Sequence, residues 1–248
     1  MDSFELPSTL QLDRALFATT LQELRKGLSP GLGGTRYEYL KLCLEDPLAL
    51  QVLTDIIEII ANGHLPPAIS HAMRLSGLTA LRKNNGRVRG IAAGDTYRRL
   101  ASKILAKMKQ SVFRNRVEPS NFGLSAHSGT DQLGHLVRIF TEASPNHSVL
   151  AIDGVGAFDH IRRSKIFDEL LNDPEVSSLI PFARMWYQDV STLVWADDEG
   201  NLHEIFQADG GEQGDALMPS FFSLALKPAL QKIQSRLHAD DLLSLIHI

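Results

Sequence analysis

Apolar residues recur at helical spacing along Leu12, Leu16, Phe17, Leu21 and Leu24, with Ser8 or Thr9 placed to cap that helix and Gly27 to stop it. Ser29-Pro-Gly-Leu-Gly-Gly34 interrupts the pattern as a loop. A helix through Tyr37 and Leu40 follows, then one from Pro47, a residue suited to a first helical turn, to Ala61, where Asn62-Gly63 ends it. The period then shortens to that of strands over 75–81 and 88–92, around Asn84-Asn85-Gly86, a hairpin turn. Asp95 is placed to cap a long helix with Leu100, Ile104, Leu105 and Met108 on its apolar side.

Residues 118–128, rich in Pro, Ser, Asn and Gly, read as loop, and a helix over 130–143 leads into an apolar run that delivers Asp153 to a turn, as the end of a buried strand. Helices are predicted over 164–171, 174–189 and 215–236, and a second hairpin over 192–195 and 202–206 around Asp197-Asp-Glu-Gly200. Helices clustered first, then hairpins and helices in mixed order, predict an α+β architecture without a regular βαβ array. There is no internal repeat and no low-complexity linker.

The 248 residues suffice for one large domain or two closely packed subdomains. No apolar run approaches the roughly 20 residues of a membrane span, and the acidic start Met1-Asp-Ser-Phe-Glu5 lacks the pattern of a secretory signal. The single Cys43 excludes an internal disulfide framework and a cysteine-based zinc site, and its apolar helical context predicts a small buried hydrophobe. An intracellular setting is expected, nucleus or cytoplasm being left open.

Charge changes the picture. The net −4 conceals a segment, Arg74 to Arg116, with twelve Lys and Arg against one acid, Asp95; it carries +11 and leaves −15 to the rest. Such a block suits a polyanion. For Lys103, Lys107 and Lys109 the outer side of a solvated helix is an equal reading. Arg82, Lys83, Arg87 and Arg89 crowd the predicted hairpin, where like charges repel unless a ligand or neighbouring acids neutralise them.

An aspartate at a strand end, helped by a neighbouring acid, can hold Mg²⁺, which takes one or two carboxylates together with substrate phosphates. A basic hairpin offers fixed positive charge to a triphosphate. A Gly-rich turn before a helix, here Gly210-Gly-Glu-Gln-Gly-Asp215, lets backbone approach a nucleotide. These parts describe a nucleotidyl transferase working on a polyanionic template.

Together they resemble the fingers and palm of a reverse transcriptase of the non-LTR retroelement type. From Ser29 onward, Ser29-Pro-Gly-Leu-Gly-Gly-Thr-Arg-Tyr-Glu-Tyr-Leu-Lys41 resembles "SPGPDGxxxExLK", Leu81 to Ile91 resembles the fingers hairpin "KKxGxxRPI", and Tyr97 to Lys103 the helix after it. Asn121-Phe-Gly-Leu124 with Gly129 resembles the template-side "QxGV…G", Asp153 to Ile161 palm motif A, and Gly211 to Pro219 motif B, "GxxQGDPLxP". The order and spacing of these motifs carry the resemblance more than any one of them.

The resemblance implies a retrotransposon RNA-directed DNA polymerase. Its RNA template and DNA primer would be its partners, dNTP its substrate and two Mg²⁺ ions its cofactor. Asp153 would be the metal-binding catalytic carboxylate, helped by the backbone carbonyl of Ile152 or Gly154. Phe158 would be the aromatic wall that clashes with a ribose 2′-hydroxyl. Lys83 and Arg89 would hold the triphosphate, and Gln213 and Gly214 would line the nucleotide pocket. Phe158 as plain core, and Arg89 paired with an acid, are the structural alternatives. The chain departs from the pattern at Gly90 and Ala216, which stand where the family has proline, and at Gly154 and Gly156, which predict a looser motif A.

On this reading residues 1–28 are a helical extension, 29–148 the fingers, 149–242 a partial palm, and 243–248 a tail derived from a sequencing adapter, Leu243-Ser-Leu-Ile-His-Ile248 being the translation of a transposase end sequence. The family's second carboxylate motif has one candidate, Asp240-Asp241, which also reads as a turn after the preceding helix. The chain is therefore expected to be inactive alone and to lack a thumb and other retroelement domains. Two other functions remain in view, a non-catalytic nucleic-acid-binding remnant and an RNA-dependent RNA polymerase.

Overall fold

The computed structural model describes residues 9–82, 84, 86, 88–118, 121–124, 126–144, 146, 149, 151, 154, 156–212 and 214–236. The first helix, α1 (Arg14–Glu23), starts one turn later than the apolar pattern suggests, because Asp13 caps it, its carboxylate accepting from the Ala15 and Leu16 amides. Ser8 lies outside the described residues. Next come α2 (Tyr37–Lys41), a 3₁₀ turn (Leu42–Glu45) and α3 (Pro47–Ala61), with Asp46 as cap and Pro47 in the first turn as expected. Cys43 sits half-buried in the 3₁₀ turn, where only part of the side chain reaches the core. One helix went unpredicted, α4 (Pro67–Arg74), short and announced only by Pro66-Pro67.

The hairpin is β1 (Ser76–Arg82) and β2 (Val88–Ala93), antiparallel, after which Asp95 caps α5 (Thr96–Met108) through the Tyr97 and Arg98 amides. The predicted long helix breaks at Lys109, where α6 (Gln110–Val117) begins. There follow α7 (Gly129–Ala143), the short α8 (Ala157–His160), α9 (Arg163–Asn172) and α10 (Ile180–Tyr187). The helix expected over 174–189 is thus a 3₁₀ turn (Ser177–Leu179) leading into α10. The second hairpin is β3 (Ser191–Ala196) and β4 (Leu202–Gln207), and the last helix, α11 (Met218–Arg236), starts at Met218 because residues before it form a turn instead.

The two hairpins form one four-stranded sheet in the order β2-β1-β3-β4, joined by a short parallel contact of Ser76 with Leu193 and Gly77 with Val194. Mixed sheet and helices make the fold α+β, as the pattern predicts. A continuous core runs under it, with Phe17, Ile57, Ile104, Leu105, Phe182, Trp186 and Phe221 nearly or wholly inaccessible. Burial on this scale supplies the dominant stabilising term. Asp153 lies outside the described residues. Its described neighbours Val149 and Ala151 are exposed, so the buried strand expected there is not seen on them. The sheet of the described residues does not include that segment.

Candidate active site

The Phe158 loop and the Gly-rich turn that carries Gly214 meet through backbone. Gly156, with φ of 61°, takes the left-handed conformation that starts α8, so a glycine expected to loosen the segment instead meets a conformational demand. Behind it, Gly210 donates its amide to the Ile161 carbonyl (2.8 Å) and Gly211 to the Phe158 carbonyl (3.0 Å). A Cβ on Gly210 would lie 2.3 Å from the Phe158 oxygen, so no other residue fits that approach unless the backbone moves. Phe158 itself is half-buried, its ring meeting that of Phe222 edge-on with centroids 5.2 Å apart. Gly214 rests against β2, where a Cβ would come 3.1 Å from the Ala92 carbonyl oxygen. The structure therefore brings the Phe158 loop, the Gly-rich turn and the end of the basic hairpin together. Lys83, Ile152, Asp153, Gln213, Asp240 and Asp241 lie outside the described residues.

Arg89 stands further out on β2, exposed, paired in register with Leu81. Arg82 pairs with Val88, so the two described arginines of the hairpin point to opposite faces and do not crowd each other. Neither has an ion pair or side-chain hydrogen bond among the described residues, and the pairing of Arg89 with an acid is not found. The loop beginning at Ser29 packs beneath the hairpin's exit. Arg99 donates to the Ser29 carbonyl (2.8 Å) and stacks on Tyr37, Thr96 donates to the Thr35 carbonyl (2.6 Å), and a Cβ on Gly31 would sit 2.7 Å from the Gly94 oxygen. On the far side, Asn121 is buried, donates to Ser223 (3.0 Å) and accepts from the Gly123 and Leu124 amides, which fastens that motif to α11.

Sequence reasoning missed the groups that hold this arrangement. Arg98, 2% exposed, donates to Glu212 (2.6 Å), with Asp215 3.8 Å away. Asp215 also accepts from Ser102 and Tyr187, and from the Leu217 amide (2.9 Å). Glu212 reaches Arg98 past Gly94, where a Cβ would lie 2.6 Å from its carboxylate oxygen. Arg163, also buried, donates to the Gly210 carbonyl (2.8 Å), the Asp189 carbonyl (2.5 Å) and Ser191 (2.8 Å). Both guanidinium groups face the Tyr187 ring, at 5.4 and 5.3 Å.

Their electrostatics differ. Burial opposes the charge on Arg98, but Glu212, Tyr187 and Asp215 together outweigh it and raise its pKa. Burial pushes Arg163 down, the nearby Arg98 charge adds to this, and its side-chain hydrogen bonds go to neutral acceptors. Burial, reinforced by Asp215, pushes the Tyr187 hydroxyl well above its ordinary range, so it remains a donor. One signal for Arg98 was available: it shares the helical face of Ala101, Ser102 and Leu105, all buried, and a cation there needs an acid.

The rest of the basic segment divides. Arg74 pairs with Asp189 (2.6 Å), Lys107 with Glu23 (2.5 Å), Arg114 with Glu118, and Arg116 with Asp173 and Glu175, while Lys109 donates to the Glu175 carbonyl (2.7 Å). Among the described residues no group of three or more His, Cys, Asp or Glu could hold a metal ion, and no helix is long and apolar enough to cross a membrane.

Residues 81–247 match a family model described as reverse transcriptase (RNA-dependent DNA polymerase). The chain is also 24% identical over 231 residues to "Retrotransposable element SLACS 132 kDa protein" of Trypanosoma brucei gambiense, a match covering 93% of this chain and 19% of that protein. It thus spans about a fifth of the length of that relative.

Proposed function

The chain belongs to the reverse transcriptase family, and on that premise we propose that it is the fingers (29–148) and part of the palm (149–242) of a non-LTR retrotransposon polymerase that copies RNA into DNA. The observation that carries this reading is the junction of three elements. The Phe158 loop is hydrogen-bonded to the Gly210–Gly211 turn, and the same turn abuts the end of a hairpin whose described arginines have no ion pair among the described residues.

Reverse transcriptases bind nucleic-acid template and primer together with deoxynucleoside triphosphates, and use divalent metal ions. In the proposed reaction a primer 3′-hydroxyl attacks the α-phosphate of a dNTP and pyrophosphate leaves. Lys83 and Arg89 hold the triphosphate by charge. Phe158 stands under the sugar and disfavours a 2′-hydroxyl, with its ring backed by Phe222. Gln213 and Gly214 line the nucleotide pocket. The metal reading rests on Asp153 with the carbonyl of Ile152 or Gly154, an all-oxygen set of the kind Mg²⁺ takes. When bound, two such ions supply charge stabilisation to the phosphoryl oxygens. Asp240 and Asp241 are the candidates for the second carboxylate motif.

The family match gives no support to an RNA-dependent RNA polymerase. The test is dNTP incorporation on a primed RNA template by the full-length protein. Asp153→Ala is expected to abolish incorporation while template binding persists. Binding without incorporation by the unaltered protein would instead identify a non-catalytic remnant. Phe158→Ala is expected to raise ribonucleotide acceptance by about tenfold or more, on the scale of a lost steric exclusion; an unchanged ratio would remove Phe158 from the sugar site.

A further inference from the structure

Four buried charged side chains hold the Gly-rich turn: Arg98 meets Glu212 and Asp215, while Arg163 binds neutral acceptors at the turn's other end, so the four charges sum to zero. Stability alone does not call for such a cluster, because well-packed apolar residues often serve as well as a buried ion pair. Its placement is informative. Glu212 and Asp215 bracket Gln213 and Gly214, and both carboxylates face α5: Glu212 through Arg98, Asp215 through Ser102 and the more distant Arg98 nitrogen. Ser102 grips the turn a second time by accepting from the Leu217 amide (3.1 Å). Arg163 holds the other end at the Gly210 carbonyl. The turn is thus fixed at both ends to helices that do not themselves carry the proposed nucleotide contacts.

We propose that Arg98 is a positioning residue for nucleotide selection, holding the turn through Glu212 and Asp215 so that Gly214 stays against the end of β2 at the proposed nucleotide pocket. This rests on the reading that Gln213 and Gly214 line the nucleotide pocket. Loosening the clamp weakens dNTP capture more than it slows the chemical step, because the groups that act on the phosphates lie elsewhere.

The experiment compares Arg98→Met, Glu212→Gln, their double variant and Tyr187→Phe in the full-length protein, reading thermal midpoint together with KM for dNTP and kcat in primer extension. Each of the first two leaves a buried charge unbalanced, and is expected to lower the midpoint and raise KM about tenfold with kcat changed less than about threefold. The double variant removes one charge of each sign. It is expected to regain much of the midpoint and to keep the raised KM. Recovery of KM along with the midpoint would make the cluster merely structural and overturn the proposal, as would a fall in kcat at unchanged KM.

If the charge variants do not fold, Tyr187→Phe decides, since it keeps all four charges and removes one donor to Asp215. A KM raised about twofold to threefold supports the clamp, and an unchanged KM overturns it. Failure of the unaltered protein to incorporate dNTP would refute the polymerase reading instead. The clamp is then judged by amide hydrogen exchange at residues 214–217 of this chain, where faster exchange in Tyr187→Phe supports it and unchanged exchange overturns it.

Discussion

Arg89 and Arg98 lie in the same basic stretch of sequence, yet one stands on an exposed strand with no ion pair among the described residues and the other is sealed between Glu212 and the rings of Trp186 and Tyr187. The contrast extends to their surroundings. On α5 and α6, Arg98, Lys107 and Arg116 each meet an acid from another element and Arg114 meets Glu118 at the end of its own helix, so much of the positive charge there is matched within the fold. On the hairpin, the register sends Arg82 and Arg89 to opposite faces with no acid among the described residues to meet them. A count of basic residues therefore overstates the surface offered to a polyanion. What matters is whether an acid elsewhere in the chain folds back onto each cation.

The sharpest way to break this comparison is Arg98→Ala. It strands Glu212 and leaves a buried charge uncompensated, with an expected loss of about 3–5 kcal/mol of stability read from urea unfolding. An unfolding midpoint like that of the unaltered chain would show that the buried pair is not what joins these elements. Arg89→Ala should do the reverse. Its urea midpoint is expected to stay unchanged, while affinity for a primed RNA template falls and the salt dependence of binding becomes shallower by about one unit of slope. A stability loss without an affinity loss would place Arg89 among the structural cations.

The smallest effect is expected at Arg116 and Asp173. The Arg116 hydrogen bond holds the Asp173 carboxyl below its ordinary range. Because the folded value is depressed, the stabilisation is present above the ordinary carboxylate pKa of about 3.9 and is lost as pH falls through the folded value. Asp173→Asn should therefore lower the urea midpoint slightly at pH near 7 and narrow the loss on acidification to about pH 3. Equal acid sensitivity in both proteins would show that this surface pair contributes nothing.

Local signals were legible in the sequence, and distant ones were not. Asn84-Asn85-Gly86 and Asp95 announced the first hairpin and the helix behind it because turn and cap chemistry act over a few residues. The parallel contact between Ser76–Gly77 and Leu193–Val194 has no local signature, so the joining of two hairpins into one sheet could not be anticipated. The break at Lys109 was hidden because the apolar stripe continues through it. At the candidate site, the motif order placed Phe158 and Gly214 in one neighbourhood; Phe158 is hydrogen-bonded to the turn that carries Gly214, and Gly214 abuts the hairpin. The buried charge cluster, the helical face of Arg98 apart, was hidden for a different reason. Arg98, Glu212, Asp215 and Arg163 look like ordinary solvated charges until folding removes their water.

The two backbone hydrogen bonds from Gly210 and Gly211 to the α8 loop have a consequence for anyone wishing to alter the sugar preference proposed for Phe158. They tie the length of that loop to a turn some fifty residues later, so the two segments behave as a single cassette. Side-chain exchange at Phe158 leaves these bonds in place. Inserting or deleting a residue across 157–161, or transplanting the loop from another member of the family without its glycine turn, would carry the Phe158 and Ile161 carbonyls out of step with their donors. Graftable units in this chain are therefore pairs of segments, and a library that varies one member should vary the other with it.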